Sequence, residues 1–317
     1  MLTVIQPKEL APSSDLSELL IIWQTALNLR VAAGELSPNT VTAYRRGADK
    51  FLSWCAASGV DNLTPDIFRN WKADLLKNNY KPATVNTWLS GVKALFGWAV
   101  EYHRLPYNPA ENIKSATRKG KSKKHARESL TNDEVNRVLA LPDPKTHTGA
   151  RNLAILALMA YTGARTVEVH RADLADLRTE KGRLILDVTG KGHTEADSVV
   201  VLANPRVEAA LHDWLSMRGD KPGPLFTSLS DRSNGERLSL RALRGIVKDY
   251  FRLAGVIGNK TTHSLRHTAI SKAILRGAPV QKVQSMARHK SVDTTMIYFH
   301  EVDRLENPAE AFIDYAS

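Results

Sequence analysis

The pattern of apolar and polar positions changes character partway along the chain. Through about residue 107 it is helical throughout. Val85, Trp88, Leu89, Val92, Leu95, Phe96 and Ala99 recur at the spacing of one helix face after Lys81-Pro82. Ser37-Pro38 and Thr64-Pro65-Asp66 are helix start signals, a capping side chain followed by proline at the first helical position. The stripe on the third of these helices has the width of a buried face and predicts core rather than a base-stacking surface. Asn108-Pro109 ends this part. Lys114, Arg118, Lys119, Lys121, Lys123, Lys124 and Arg127 follow with Gly and Ser between them, which predicts a basic linker over 109–127.

Thr131-Asn132-Asp133-Glu134 is a capping box and opens a second region in which helices alternate with a little sheet. Residues 151–161 form an apolar helix closed by Gly163. Residues 183–188 and 198–202 alternate as strands around Gly190-Lys191-Gly192, which places Lys191 on a β-loop. Helices are predicted over 205–217, 240–254, 264–276 and 280–287. The domains read as 1–108, 109–127 and 128–317, mainly α with a small β-sheet: an all-helical N-terminal domain and an α+β C-terminal domain.

Charge narrows the partner. The 317 residues carry a formal net charge of +11, which favours a polyanion, most simply nucleic acid. No apolar run is long enough to span a bilayer, and the N-terminus lacks the basic-then-apolar pattern of a secretory signal. The single cysteine, Cys55, excludes an intrachain disulfide and a cysteine-based metal cluster; it reads as a small core residue. These features point to a cytoplasmic protein associated with the nucleoid. On the N-terminal helices, Arg45, Arg46 and Lys50 are the candidate DNA contacts, joined by Lys119, Lys121, Lys123 and Lys124 in the linker and by Arg288 further on.

The chemistry-bearing residues lie in the second region. They are Arg165 within Thr162-Gly163-Ala164-Arg165-Thr166-Val167-Glu168, Lys191, His263-Ser264-Leu265-Arg266-His267, and His289 followed nine positions later by Tyr298. Two arginines can clamp phosphate oxygens with planar forks. Lysine and histidine can move protons, and a tyrosine can hold a phosphate covalently. No phosphate-cradling Gly-x-x-x-x-Gly-Lys loop is present, because Ile185 stands where its first glycine is needed, and no acidic cluster is spaced for two metal ions. A cofactor is therefore not expected.

In order and spacing this set resembles the tyrosine recombinases, the phage integrase family, and within it the Xer-like site-specific recombinases. The resemblance extends over nearly the whole chain. It implies a SAM-like, DNA-clamping core-binding domain ahead of a catalytic domain that cleaves and rejoins DNA strands through a 3′-phosphotyrosine. By the same resemblance Tyr298 is the nucleophile, Arg165 and Arg266 clamp the phosphate, and His263 is the base. Lys191 is the acid, His289 completes the cradle, and Glu168 orients a neighbour from behind. His267 reads as structural, His193 and His300 as surface histidines, and Tyr315 lacks a histidine at the matching offset.

Two departures stand out. The family's usual Leu-Gly before the second histidine is Ala287-Arg288 here, where Arg288 either meets a phosphate or crowds a tight turn. The short segment ahead of the helices leaves no room for an arm-binding domain. Residues 307–315 can form a tail helix, and tail exchange in this family implies a tetramer on paired double-stranded DNA sites. Accessory DNA-bending or directionality proteins are further implied partners, with no membrane. The alternatives are a type IB topoisomerase-like relaxing enzyme and a catalytically silent architectural DNA-binding protein.

Overall fold

The computed structural model describes residues 13–60, 62–117, 128–189 and 197–306. The chain divides into two compact units, Met1–Ser122 and Lys123–Ser317. Lys119, Lys121, Lys123, Lys124, Lys191, His193 and the tail 307–315 lie outside the described residues.

The first unit is four helices: α1 Ser13–Ala32, α2 Pro38–Ala57, α3 Pro65–Lys77 and α4 Pro82–Glu101. Ser37 caps α2 as its sequence predicts, its hydroxyl accepting from the Thr40 amide at 3.1 Å. Thr64 stands at the N-cap of α3 without a side-chain cap bond, so proline at the first helical position is the start signal that acts there. Phe51, Phe68, Trp71 and Phe96 form the aromatic centre; the Phe51 and Phe68 rings stack at 4.8 Å and Phe96 meets both edge-on. Val85, Leu89, Val92, Leu95, Phe96 and Ala99 of the predicted stripe are all buried in this core.

The stretch expected to begin a linker is instead docked on this unit as far as its described residues reach. Ala110, Ile113 and Ala116 are buried in the same core. The Asn86 side chain clamps Ala116 from both sides, its Oδ1 accepting from the Ala116 amide at 2.7 Å and its Nδ2 donating to the Ala116 carbonyl at 3.0 Å. Burial of an isoleucine such as Ile113 contributes about 2 kcal/mol, which outweighs the solvation preference of the charged residues beside it.

The second unit contains α5 Asn132–Ala140, α6 His147–Thr162, α7 Thr166–Arg171, β1 Leu177–Glu180, β2 Arg183–Val188 and β3 Ser198–Val201. These are followed by α8 Pro205–Arg218, α9 Leu240–Leu253, α10 Thr262–Leu275, α11 Val280–Ala287 and α12 Val292–Glu306. Thr131 and Glu134 form the reciprocal capping box that starts α5. The three strands are antiparallel in the order β1-β2-β3, with Leu177 opposite Leu186 and Val188 opposite Ser198. Lys181 and Gly182, both at positive φ, make the two-residue turn between β1 and β2. Strand β1 has no counterpart in the apolar pattern, since Leu-Arg-Thr-Glu carries one apolar residue and is largely exposed.

Helix α6 is buried on nearly every side and anchors the unit. Helix α10 packs against it and against α12, and carries polar residues into the interior: Ser264, Arg266, His267, Thr268 and Ser271 are all buried. A helix that buries an arginine and a histidine must supply partners for them. Those partners form the site.

Candidate active site

Helix α6 ends at Gly163, whose φ of 64° is the left-handed conformation glycine adopts without strain. That reversal brings Arg165, extended at φ −74° and ψ 147°, to the start of α7. One turn on, Glu168 folds back: its Oε2 accepts from the Arg165 amide at 2.7 Å and its Oε1 accepts from Arg165 Nη1 at 2.7 Å. Its Nη2 donates to the carbonyls of Arg288 at 2.8 Å and Ala287 at 3.2 Å.

Arg266 reaches the same place from α10. Its Nη1 donates to the Gly163 carbonyl at 2.7 Å and its Nη2 to the Ala287 carbonyl. The two guanidinium groups therefore share Ala287 O, at the end of α11. Burial pushes Arg266 down to about 10, and the charges of Arg165 and Arg288 act in the same direction. Like charges are held together here by carbonyl oxygens and one carboxylate.

Arg288 caps α11 in the left-handed conformation, φ 52° and ψ 47°. For a residue with a Cβ this costs roughly 1–2 kcal/mol. Its guanidinium turns inward rather than toward a nucleic acid: Nη2 and Nε donate to Glu168 Oε2 and Oε1 at 2.7 and 3.1 Å, and Nη1 donates to the Met286 carbonyl at 2.7 Å. With its side chain 7% exposed, Arg288 is not placed as the DNA contact expected of it; pairing with the buried carboxylate outweighs solvation. Burial alone would push the Glu168 carboxyl up. The hydrogen bonds and charge of Arg288, with the bonds from Arg165, outweigh that and hold it below its ordinary range.

The left-handed turn leads directly into His289, whose Nδ1 lies 2.9 Å from Thr295 Oγ1. Its ring is 5.9 Å from that of Tyr298 and tilted by 25°. Tyr298, on α12, is buried among Ile270, Ile274, Val283 and Ala287. Its other neighbour is His267, at 4.8 Å between ring centroids. His263 stands exposed in the first turn of α10, one turn before Arg266. The structure thus brings Arg165, Arg266, Glu168 and the α11–α12 turn into one connected network. Through that turn it sets His289 beside Tyr298.

Three features of this centre were not assigned from sequence. Thr295, fully buried, holds His289; its only sequence signal is the three-residue spacing that puts it on the Tyr298 side of α12. His267, read as structural, packs on the candidate nucleophile. Arg288 belongs to the interior of the cluster.

In the first unit, Arg45 donates from Nη2 to the Gln24 carbonyl at 3.0 Å and to Asn28 Oδ1 at 2.7 Å, tying α2 to α1. Arg46 and Lys50 are exposed. Lys50 Nζ lies 5.7 and 5.9 Å from the ring centroids of Tyr80 and Trp88. Lys72 donates to the Lys114 carbonyl at 2.9 Å. Among the described residues no group of three or more His, Cys, Asp or Glu is placed to hold a metal ion, and no helix is long and apolar enough to cross a membrane.

The phage integrase family model matches residues 128–304, and the phage integrase N-terminal SAM-like domain matches residues 29–103. The tyrosine recombinase XerC of Thermodesulfovibrio yellowstonii is 28% identical over 269 residues, covering 83% of this chain and 86% of its own. The structure of the site-specific recombinase XerH on a palindromic difH substrate, in a post-cleavage complex, superposes with a TM-score of 0.67 at 22% identity, covering 95% of this chain and 84% of that one. A lambda integrase tetramer bound to a Holliday junction gives 0.64 at 16% identity, covering 87% and 77%. Both halves of the fold are those expected, and neither a topoisomerase nor an architectural protein is favoured by these matches. The chain belongs to the phage integrase family, the tyrosine-type site-specific DNA recombinases.

Proposed function

We propose that this enzyme cleaves and rejoins DNA by attack of Tyr298 on the scissile phosphodiester. The Tyr298 Oη–phosphorus bond forms as the bond to the 5′ oxygen breaks, leaving a 3′-phosphotyrosine and a free 5′-hydroxyl. The ester is conserved in energy, so attack by a second 5′-hydroxyl reverses the step and joins a new partner. Arg165 and Arg266 hold the non-bridging oxygens, where preorganised donors in a partly buried site supply a large share of catalysis. His263 accepts the tyrosine proton, Lys191 donates one to the leaving 5′ oxygen, and His289 completes the cradle.

The observation that carries this reading is the convergence of Arg165 and Arg266 on the Ala287 carbonyl, at the turn that leads into His289 and, on the next helix, Tyr298. Carbonyl oxygens that gather two guanidinium groups hold them ready for an anionic phosphate oxygen of similar bonding character. Double-stranded DNA is the substrate, gripped by the basic first unit through Arg46 and Lys50. The working assembly is a tetramer on two paired sites. Residues 1–108, 109–127 and 128–317 serve as clamp, basic connector and catalytic domain, the part of the connector up to residue 117 being carried on the clamp.

The test is covalent trapping on nicked suicide substrates, run without metal or ATP and resolved on a denaturing gel. A DNA-linked band that disappears in Tyr298→Phe supports the reading. Absence of any band on a DNA that the protein protects from nuclease counts against it.

A further inference from the structure

Arg288 spends a left-handed backbone, φ 52°, to place a guanidinium inside the site. The contacts form a closed ring. Arg165 Nη2 donates to the Arg288 carbonyl, Arg288 Nη2 and Nε donate to Glu168, and Glu168 accepts in turn from Arg165 Nη1 and the Arg165 amide. Glu168 is 2% exposed, Arg288 7% and Arg165 33%, so of the two cations only Arg165 presents itself outward.

This ordering matters for charge. Glu168 and Arg165 alone would form a neutral pair, and a buried carboxylate bonded to a guanidinium competes with any phosphate for it. Arg288 supplies the second positive charge from the inner side. Glu168 can then fix the direction of Arg165 while the cluster keeps an excess of cation toward solvent.

We infer that Arg288 is a positioning residue for strand cleavage: by satisfying Glu168 from within, it lets that carboxylate orient Arg165 without neutralising it. The inference rests on the reading of Arg165 as a phosphate clamp. It replaces a phosphate-binding role for Arg288 itself.

The experiment is single-turnover cleavage of a suicide substrate at saturating DNA, with DNA affinity measured in parallel. Arg288→Met is expected to slow cleavage about tenfold or more while leaving Kd within about twofold, the signature of a group that acts on the transition state rather than on uniform binding. Arg288→Lys should recover part of the rate. Glu168→Gln placed in the Arg288→Met background should also recover part of it, because a neutral amide no longer competes for Arg165.

Wild-type cleavage by Arg288→Met overturns the inference. So does a weakened Kd with an unchanged rate at saturation, which would make Arg288 a DNA contact. A double variant slower than Arg288→Met alone overturns it too, by leaving Arg288 a merely structural role. If Arg288→Met fails to melt cooperatively, Arg288→Gly, which relieves the left-handed backbone, carries the same comparison. Failure of the wild type to form any adduct on DNA it protects would instead sink the clamp reading itself. In every outcome against the inference alone, the wild type still cleaves.

Discussion

The imidazole of His267 lies 4.8 Å from the ring of Tyr298, tilted by 53°, and its Nδ1 is 2.7 Å from Ser129 Oγ. His267 is buried, on the helix that also carries Arg266. It therefore sets where the candidate nucleophile's ring can rest, and it does so from a position tied to the segment that opens the second unit. Leu130 donates to Thr268 Oγ1 at 2.8 Å in the same place. His267→Ala should slow covalent adduct formation about tenfold or more through the misplacement this allows, with DNA affinity unchanged. His267→Phe, which refills the space without the Ser129 bond, separates packing from hydrogen bonding: recovery of the rate assigns the effect to packing. An unchanged rate in His267→Ala would show that Tyr298 is held by α10 and α11 alone.

Thr295 holds the second ring. Its hydroxyl lies 2.9 Å from His289 Nδ1 in a fully buried position, so it fixes which imidazole nitrogen faces away toward a substrate. Thr295→Val keeps the shape and removes the bond, a loss of about 1 kcal/mol. The cleavage rate should drop several-fold in Thr295→Val and stay near wild type in Thr295→Ser, while both variants lose about 1 kcal/mol of stability, one through the bond and the other through the buried methyl group. Equal rates in all three proteins would mean that the Thr295 bond does not orient His289.

Much of this site is legible in the sequence because its signals are local. Thr131 and Glu134 cap a helix within four residues, and Gly163 closes one, so those boundaries follow from chemistry confined to a single turn. The candidate catalytic residues are marked by type and order. What was not legible depends on long-range packing. Ala110, Ile113 and Ala116 look like small breaks in a charged linker until they are seen buried in the core of the first unit, with the α4 side chain of Asn86 clamping Ala116. Strand β1 is Leu-Arg-Thr-Glu, and only its pairing with β2 makes it a strand. Arg288 carries a surface-type side chain beside a tight turn. Its inward direction is decided by Glu168, 120 positions earlier, which no local pattern encodes.

Glu168 also gives the site a pH signature. Its carboxyl is held below the ordinary 4.5, with Arg288 and Arg165 overcoming the opposing effect of burial. A carboxyl depressed in the folded state adds stability that is fully present above its unfolded value and is lost as pH falls through the folded one. The stability difference between wild type and Glu168→Gln should therefore be largest near neutrality and shrink on acidification below about pH 4.5. Urea midpoints of the two proteins measured across that range check the sign. A difference that stays constant with pH would show that the carboxyl titrates alike in the folded and unfolded chain, and a difference that grows on acidification would show that burial outweighs the two arginines.

In the first unit two glycines let α2 and α4 approach closely. A Cβ on Gly47 would run into the backbone of Trp88, and a Cβ on Gly91 into the backbone of Tyr44, each at its carbonyl oxygen. The clash is reciprocal and falls on main chain, so no side-chain rotation relieves it. Alanine gains about 1 kcal/mol over glycine in helix propensity, whereas overpacking a tight contact costs about 1–3 kcal/mol; the cost should win. Gly47→Ala and Gly91→Ala should each lower the unfolding midpoint of this unit. The double variant should lose less than the sum, because the first methyl already separates the helices that the second would push apart. Gly245 in α9 supplies the opposite case, since an added Cβ meets nothing within 4 Å. There propensity acts alone, and Gly245→Ala should stabilise by up to about 1 kcal/mol. The same substitution thus changes sign with the space around it, and thermal melts of the four variants read that sign directly. Stabilisation by Gly91→Ala would show that the α2–α4 contact can open at no cost.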